Sequence, residues 1–180
     1  MGASNPKKEQ ARSLKKAMRQ LPFPVAIATA AVGKEKRGIT IGSFTSLSLD
    51  PPLISFNIDR EAQIYSLITR ATHFAIHLPQ PKQAKLCDHF STSGLSSNEQ
   101  FENISYQRNS YGTPVIKEVP TVIQCRAYDQ ISAGDHIIII GEVAEIEQKN
   151  NNPSILYYDR SYREIGAIAP KEEPNIKRVG

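Results

Sequence analysis

The chain has 180 residues, a net charge of +4, 39% hydrophobic and 22% charged side chains. It is long enough to bury one core and is composed like an ordinary globular domain. No apolar run of about 18 residues occurs, which argues against a membrane-spanning helix, and the start lacks the apolar segment of a secretory signal. The first twenty residues hold Lys7, Lys8, Arg12, Lys15, Lys16 and Arg19 against Glu9 alone, so the rest of the chain is close to neutral and nucleic acid is an unfavoured partner.

Ala11 to Leu21 reads as a helix with Leu14, Met18 and Leu21 at helical spacing, stopped by Pro22 and Pro24. Residues 1–20 are expected to form a basic helix and arm, 21–166 the main domain, and 167–180 a C-terminal arm. Val25 to Val32 is a strand, Gly33 to Gly38 a charged hairpin loop, and Ile39 to Thr45 an extended continuation. Pro51 and Pro52 mark the start of the strand Leu53 to Ile58. Glu61 to Arg70 reads as a helix, His73 to Leu78 as a strand, Gln83 to Phe90 as a short helix and Ser91 to Asn98 as a loop. Thr121 to Gln130 and His136 to Gln148 are long strands joined through "ISAGD", and "PSILYYD" is the last strand. Strands in hairpin order with helices at the edges predict a mainly β fold, an antiparallel barrel.

Several chemistries find no support. The phosphate-loop glycine patterns and the serine-hydrolase elbow do not occur. His73 and His77 share a strand face but lie about 13 Å apart, too far for one ion, so they are expected to face solvent or an interface. No metal site is expected. Cys87 and Cys125 have no paired spacing and read as reduced core thiols in a cytoplasmic protein. A cofactor is left to carry any hard chemistry.

The stretch Ser43 to Asn57, "SFTSLSLDPPLISFN", crowds Ser43, Thr45, Ser46 and Ser48 before a double proline. Such hydroxyls can serve local turns. They can equally form a polar rim for a planar ligand with a phosphate tail, with Asn57 beside it and Arg60 to balance charge. Both readings stand on the residues alone.

"GITIGSFTSLSLDPPLISFNIDREAQIYSLI", "FAIHLP", "SAGDHIIIIGEVAEIE" and "PSILYYDRSYREIG" together resemble the short-chain flavin reductases of the flavin-reductase-like, FMN-binding split-barrel family, over about Leu14 to Gly166. The resemblance implies a six-stranded antiparallel Greek-key split β-barrel with peripheral helices, a homodimer, and FMN or FAD bound near the subunit interface. It places flavin contacts on Thr40, Gly42, Ser43, Thr45 and Ser46, then Asn57 and Asp59, with Arg60, Gln63 and Ser66 toward the phosphate. Many relatives carry hydroxyls at the positions of Ala62 and Ile64, which this chain lacks. His136 of "AGDH" falls where the nicotinamide of NADH or NADPH stacks, although a hairpin-end histidine bonding its own turn fits the residues too. Tyr157, Tyr158, Arg160 and Tyr162 match a segment that closes over the site, or serve strand packing.

The implied activity is hydride transfer from the nicotinamide to flavin, in support of a partner flavin-dependent monooxygenase or another acceptor. Rival readings are a flavoprotein that reduces a different small substrate such as a corrinoid, pyridoxamine-phosphate oxidase-like chemistry on a similar barrel, and a non-catalytic flavin- or nucleic-acid-binding barrel. The last is weakened by the absence of aromatics from the basic first twenty residues.

Overall fold

A computed structural model describes residues 6–166. They form α1 (Pro6–Met18), β1 (Phe23–Pro24), β2 (Ala26–Val32), β3 (Glu35–Ile41), β4 (Thr45–Leu49), β5 (Pro52–Asp59), α2 (Tyr65–Ile68), β6 (His73–Leu78), α3 (Ala84–Ser91), α4 (Ser97–Phe101), β7 (Tyr106–Arg108), β8 (Pro114–Ile116), β9 (Thr121–Ala133), β10 (His136–Gln148), β11 (Leu156–Tyr158) and β12 (Ser161–Arg163). Met1 to Asn5 and the expected arm from Ala167 lie outside the described residues.

One sheet runs in the order β3-β2-β6-β9-β10-β5-β4 with every pairing antiparallel. It has seven strands, because β4 folds back on β5 as a separate short strand. The sheet curls around a single core to which six strands contribute, among them Ala28 of β2, Ile41 of β3, Phe56 of β5, Phe74 of β6, Cys125 of β9 and Ile139 of β10. Ile64, Leu67 and Ile68, at and beside α2, are fully buried in the same core. Burying each such side chain contributes roughly 1.5–3 kcal/mol. Gly141 of β10 sits where a Cβ would come within 2.2 Å of the Phe74 ring, so this close approach requires glycine.

Strand β2 is buried on both faces, and its two-residue period divides two cores. Ala26, Ala28 and Ala30 face the barrel interior, while Ile27 joins a second cluster with Cys87, Phe90, Phe101, Ile116 and Ile155. Thr29, on the same side as Ile27, donates its hydroxyl to the Pro114 carbonyl at 2.5 Å. That second cluster attaches α3, α4 and β8 to the outside of the barrel. Cys87 and Cys125 are buried and unpaired, and burial pushes both thiols up to about 12.

Several sequence expectations change: the first helix runs Pro6–Met18 rather than Ala11 to Leu21, and a further short strand, β12, follows "PSILYYD". The loop Gly33 to Gly38 contracts to a two-residue turn, with Val32 paired to Glu35 and Gly33 at a φ of 61°. The strand expected over Ile39 to Thr45 ends at Ile41. The helix over Glu61 to Arg70 shortens to one turn, because the Asp59 carboxylate accepts from Glu61 N–H at 2.9 Å and holds a bend before it. His77 does not face solvent: it is fully buried, with Nδ1 against the Ile27 carbonyl at 3.0 Å and Nε2 accepting from Ile116 N–H at 3.0 Å. The cover is β8, part of residues 99–120, whose sequence carries little periodicity.

Burial lowers the His77 pKa to about 4, so the folded ring is neutral. Its contribution to stability is complete above the unfolded value near 6.5 and is lost as pH falls toward the folded value of about 4. At about 1.4 kcal/mol per pH unit, roughly 2 kcal/mol should be gone by pH 5. Denaturant unfolding of wild type and His77→Gln at pH 7 and pH 5 checks this: the variant, neutral throughout, should show a smaller drop. An equal drop in both proteins contradicts the role given to His77.

Candidate functional site

Beyond its β4 pairing, the outer edge of β5 loses its strand partner. Thr45 pairs with Ser55, and the next outward-facing backbone position, Asn57, meets a side chain instead. The Ser43 hydroxyl accepts from Asn57 N–H at 2.8 Å and donates to the Asn57 carbonyl at 3.4 Å. One step further, the Asp59 carbonyl accepts from Ala62 N–H at 3.0 Å. Strand β3 pairs with β2 alone, so its second edge faces this part of β5 across a gap. A Ser43 rung therefore ties the two edges without closing them.

The gap is a groove of 410 Å³ that gathers Thr40, Gly42, Ser43, Asn57, Asp59, His136 and Tyr157. Phe23, Ile39 and Ile41 supply apolar wall that sequence reading missed. Phe23 sits between two prolines and reads as a connector, yet it pairs with Tyr157 of β11. His136 is brought in as the register partner of Asp59. A second cavity of 470 Å³ shares Thr40, Ile41, Gly42 and Tyr157 and continues to Asp88, Arg160 and Tyr162. Tyr157 stands between the two, edge-on to Tyr162 with ring centroids 5.4 Å apart. At the β11–β12 turn, Asp159 and Arg160 have φ of 43° and 62°, a left-handed backbone that is costly for side-chain-bearing residues.

The polar groups divide sharply between fold and groove. The Thr40 hydroxyl donates to the Cys87 carbonyl at 2.6 Å, and Ser43 is spent on Asn57. These two hydroxyls hold α3 and β5 to the strand. His136 Nδ1 contacts the Asp135 carboxylate at 2.7 Å, which holds that carboxyl below its usual range and leaves Nε2 unpaired among the described residues. Tyr162 is the opposite case. Burial first, then the neighbouring Cys87 and Asp88, push its phenol far up, so it stays protonated.

Other candidates lie elsewhere. Thr45 and Ser46 are exposed on β4 and line neither cavity, and the Thr45 hydroxyl turns to the Ser46 carbonyl at 3.3 Å. Arg60 donates from Nη1 to the Tyr65 phenol at 3.2 Å and lies over its ring, while its buried Nε has no partner among the described residues. Ser66 is exposed on α2. Gln63 lines a third, smaller cavity with Ala62 and Ile64.

The family described as flavin reductase like domain matches residues 18–166. A flavin reductase of Pseudomonas putida is 33% identical over 83% of this chain and 86% of its own. The FMN reductase (NADH) SmoA of Agrobacterium fabrum is 32% identical over 81% of each chain. The crystal structure of the flavin reductase HpaC complexed with NADP+ superposes with a TM-score of 0.81 at 31% identity, covering 88% of this chain and 99% of that one.

If the Ser43 hydroxyl is the rung described, Ser43→Ala should destabilise the protein by about 0.5–1.5 kcal/mol in denaturant unfolding. Thr45→Ala, on the exposed edge, should cost less than about 0.5 kcal/mol. Equal effects would remove the distinction between the two hydroxyls.

Proposed function

The chain belongs to the flavin reductase like family, and we propose that it acts as an NAD(P)H:flavin oxidoreductase with FMN or FAD seated in the groove between β3 and β5. The observation that carries this reading is Gly42. It forms part of both cavities, yet a Cβ there would meet nothing of the protein closer than 3.8 Å. The fold does not need glycine at this position; a flat ligand lying on the strand does. Phe23, Ile39, Ile41 and Tyr157 give that ligand apolar walls, and the Asn57 amide and His136 Nε2 offer polar contacts at its rim.

Bound flavin supplies the hydride acceptor for the nicotinamide. The protein's part is placement. The Ser43 rung keeps the groove at a fixed width, and His136, braced by Asp135, presents Nε2 to a carboxamide. Tyr157 separates the groove from the cavity that leads to Arg160 and Tyr162, which offers room for the remainder of a nucleotide. The electrons pass on to a partner flavin-dependent monooxygenase or another acceptor; one relative, 28% identical over 85% of this chain, is the reductase component of 4-hydroxyphenylacetate 3-monooxygenase from Thermus thermophilus. Two unpaired thiols suit the reducing cytoplasm.

The working unit in this reading is a homodimer. Asn57, Ile138 and Ile131 are consecutive cross-strand partners, so their side chains share the outer face of the sheet. Ile131 is 47% exposed and Tyr128 54%, while Leu47 and Leu49 stand exposed on β4. A second copy laid on this face covers the apolar side chains and encloses the Asn57 end of the groove. Light scattering should give a dimer that Ile131→Glu converts to monomer with weaker flavin binding; a wild-type monomer with flavin bound overturns this part.

Anaerobic mixing of protein, FMN and NADH should bleach the flavin at a rate that saturates with NADH. Gly42→Ala should raise flavin Kd about tenfold or more at nearly unchanged stability. His136→Ala should raise the NADH requirement about threefold to tenfold with flavin Kd nearly constant. Bleaching no faster than in buffer contradicts the enzyme reading, and unaltered affinity in Gly42→Ala moves the flavin out of this groove.

A further inference from the structure

Helix α1 buries none of its residues. A helix of 13 residues is marginal in water without packing, and Leu14 at 62% exposure and Leu21, just past its end, at 50% leave its apolar side largely uncovered. Between that side and the small β1-β11-β12 sheet lies a hollow of 380 Å³. Leu14, Met18 and Leu21 form one wall, at positions that fall on one helical face, and Phe23 with Tyr157 forms the other. The two rings are register partners of β1 and β11, and both also line the groove, so they make a wall common to the two spaces. Lys15 and Arg19, one turn apart, and Arg160 from the β11–β12 turn bring three cations to the lining against the single carboxylate of Asp159. No hydrogen bond or ion pair engages these three cationic side chains among the described residues. The left-handed φ of 62° at Arg160 is a backbone cost borne at this same lining.

We infer that this hollow is an effector site, separate from the flavin groove, which takes a small aromatic carboxylate and thereby alters flavin binding. Its volume falls at the small end of the roughly 300–1,000 Å³ of small-molecule sites. A cleft with two rings on one wall suits a flat hydrocarbon body, and three unpaired cations suit an anionic substituent. A guanidinium pairs a carboxylate through two N–H donors, and two of the three cations are arginines. A neutral apolar occupant would leave the cations unanswered, and a simple inorganic anion would leave the apolar walls wet. Two routes link the hollow to the groove. Phe23 and Tyr157 are shared by both linings. Asp135, whose carboxyl is held low first by its hydrogen bond with His136, also feels the charge of Lys15, so an anion that pairs Lys15 reaches the brace behind His136. The effect on flavin rests on the flavin reading of the groove, whereas the hollow and its charges do not.

Titration calorimetry with naphthalene-2-carboxylate, the uncharged naphthalene-2-methanol and acetate tests the site. The proteins are wild type, Leu14→Ser and the double variant Lys15→Gln/Arg19→Gln, with thermal unfolding of each as a fold control. Wild type should bind the naphthoate at least about tenfold more tightly than the alcohol or acetate. The double variant should lose about tenfold for the naphthoate and leave the alcohol within about twofold, while Leu14→Ser should weaken both aromatic probes. Saturating naphthoate should shift the FMN Kd of wild type by about twofold to tenfold, up to a fixed limit, and FMN should shift the naphthoate Kd by the same factor. The double variant should show neither shift. A constant FMN Kd overturns the effector role. Competition without limit between naphthoate and FMN, NADH or NADPH overturns a separate site, because the hollow then belongs to the nucleotide. No naphthoate binding, or equal binding by wild type and the double variant, overturns the site itself. If Leu14→Ser then turns a dimer into a monomer, or abolishes binding to phosphatidylglycerol vesicles, the cover is a second copy or a membrane instead. If wild type binds no flavin, the flavin reading fails, and the naphthoate titrations alone decide the site.

Discussion

The hydrogen bonds between the Ser43 hydroxyl and the backbone of Asn57 set the character of this barrel. A backbone rung there would bring β3 and β5 to the strand spacing of about 4.8 Å and close the sheet. No rung at all would leave two bare edges, a costly and aggregation-prone arrangement. A side-chain rung does neither. It satisfies the polar groups of β5 while keeping the strands far enough apart for a groove of 410 Å³.

From that constraint the rest of the site follows. Because β3 is left with one paired edge, its last residues Ile39, Thr40 and Ile41, and Gly42 just after it, line the gap. Helix α3 is then held against the same strand by the Thr40 hydroxyl on the Cys87 carbonyl. The long β9–β10 hairpin carries His136 to the register of Asp59, with the Arg60 N–H on the Asp135 carbonyl at 3.0 Å locking the tip to the end of β5. The small β1-β11-β12 sheet adds Tyr157 as the outer wall. The slot is thus framed by residues from three sheet elements, which fixes where a ring could be placed.

The alternation of Leu53 to Ile58, the glycine turn before His136 and the proline breaks made the antiparallel barrel legible in the sequence. The hydroxyl stretch was legible as unusual but not in its division of labour. A serine's preference for polar company is the same whether its partner is a ligand or a carbonyl, and the partners of Ser43 and Thr40 lie 14 and 47 positions away. His77 was hidden for a related reason: strand parity gave its face correctly, but its cover, β8, comes from a segment without periodicity. Arg37 looked like part of a charged loop until the turn shrank to Gly33 and Lys34 and turned its neighbours into strand. Resemblance to the flavin reductases supplied what spacing cannot, the chemical nature of the occupant.

The central claim is that the occupant lies on the open edge between β3 and β5. Amide hydrogen exchange with and without saturating FMN tests it directly. The account predicts slower exchange in residues 39–43 and 57–59 and at the 134–136 turn, with the outer strands β7 and β8 unchanged. Protection confined to other segments, with residues 39–43 and Asn57 exchanging as in the free protein, would contradict it.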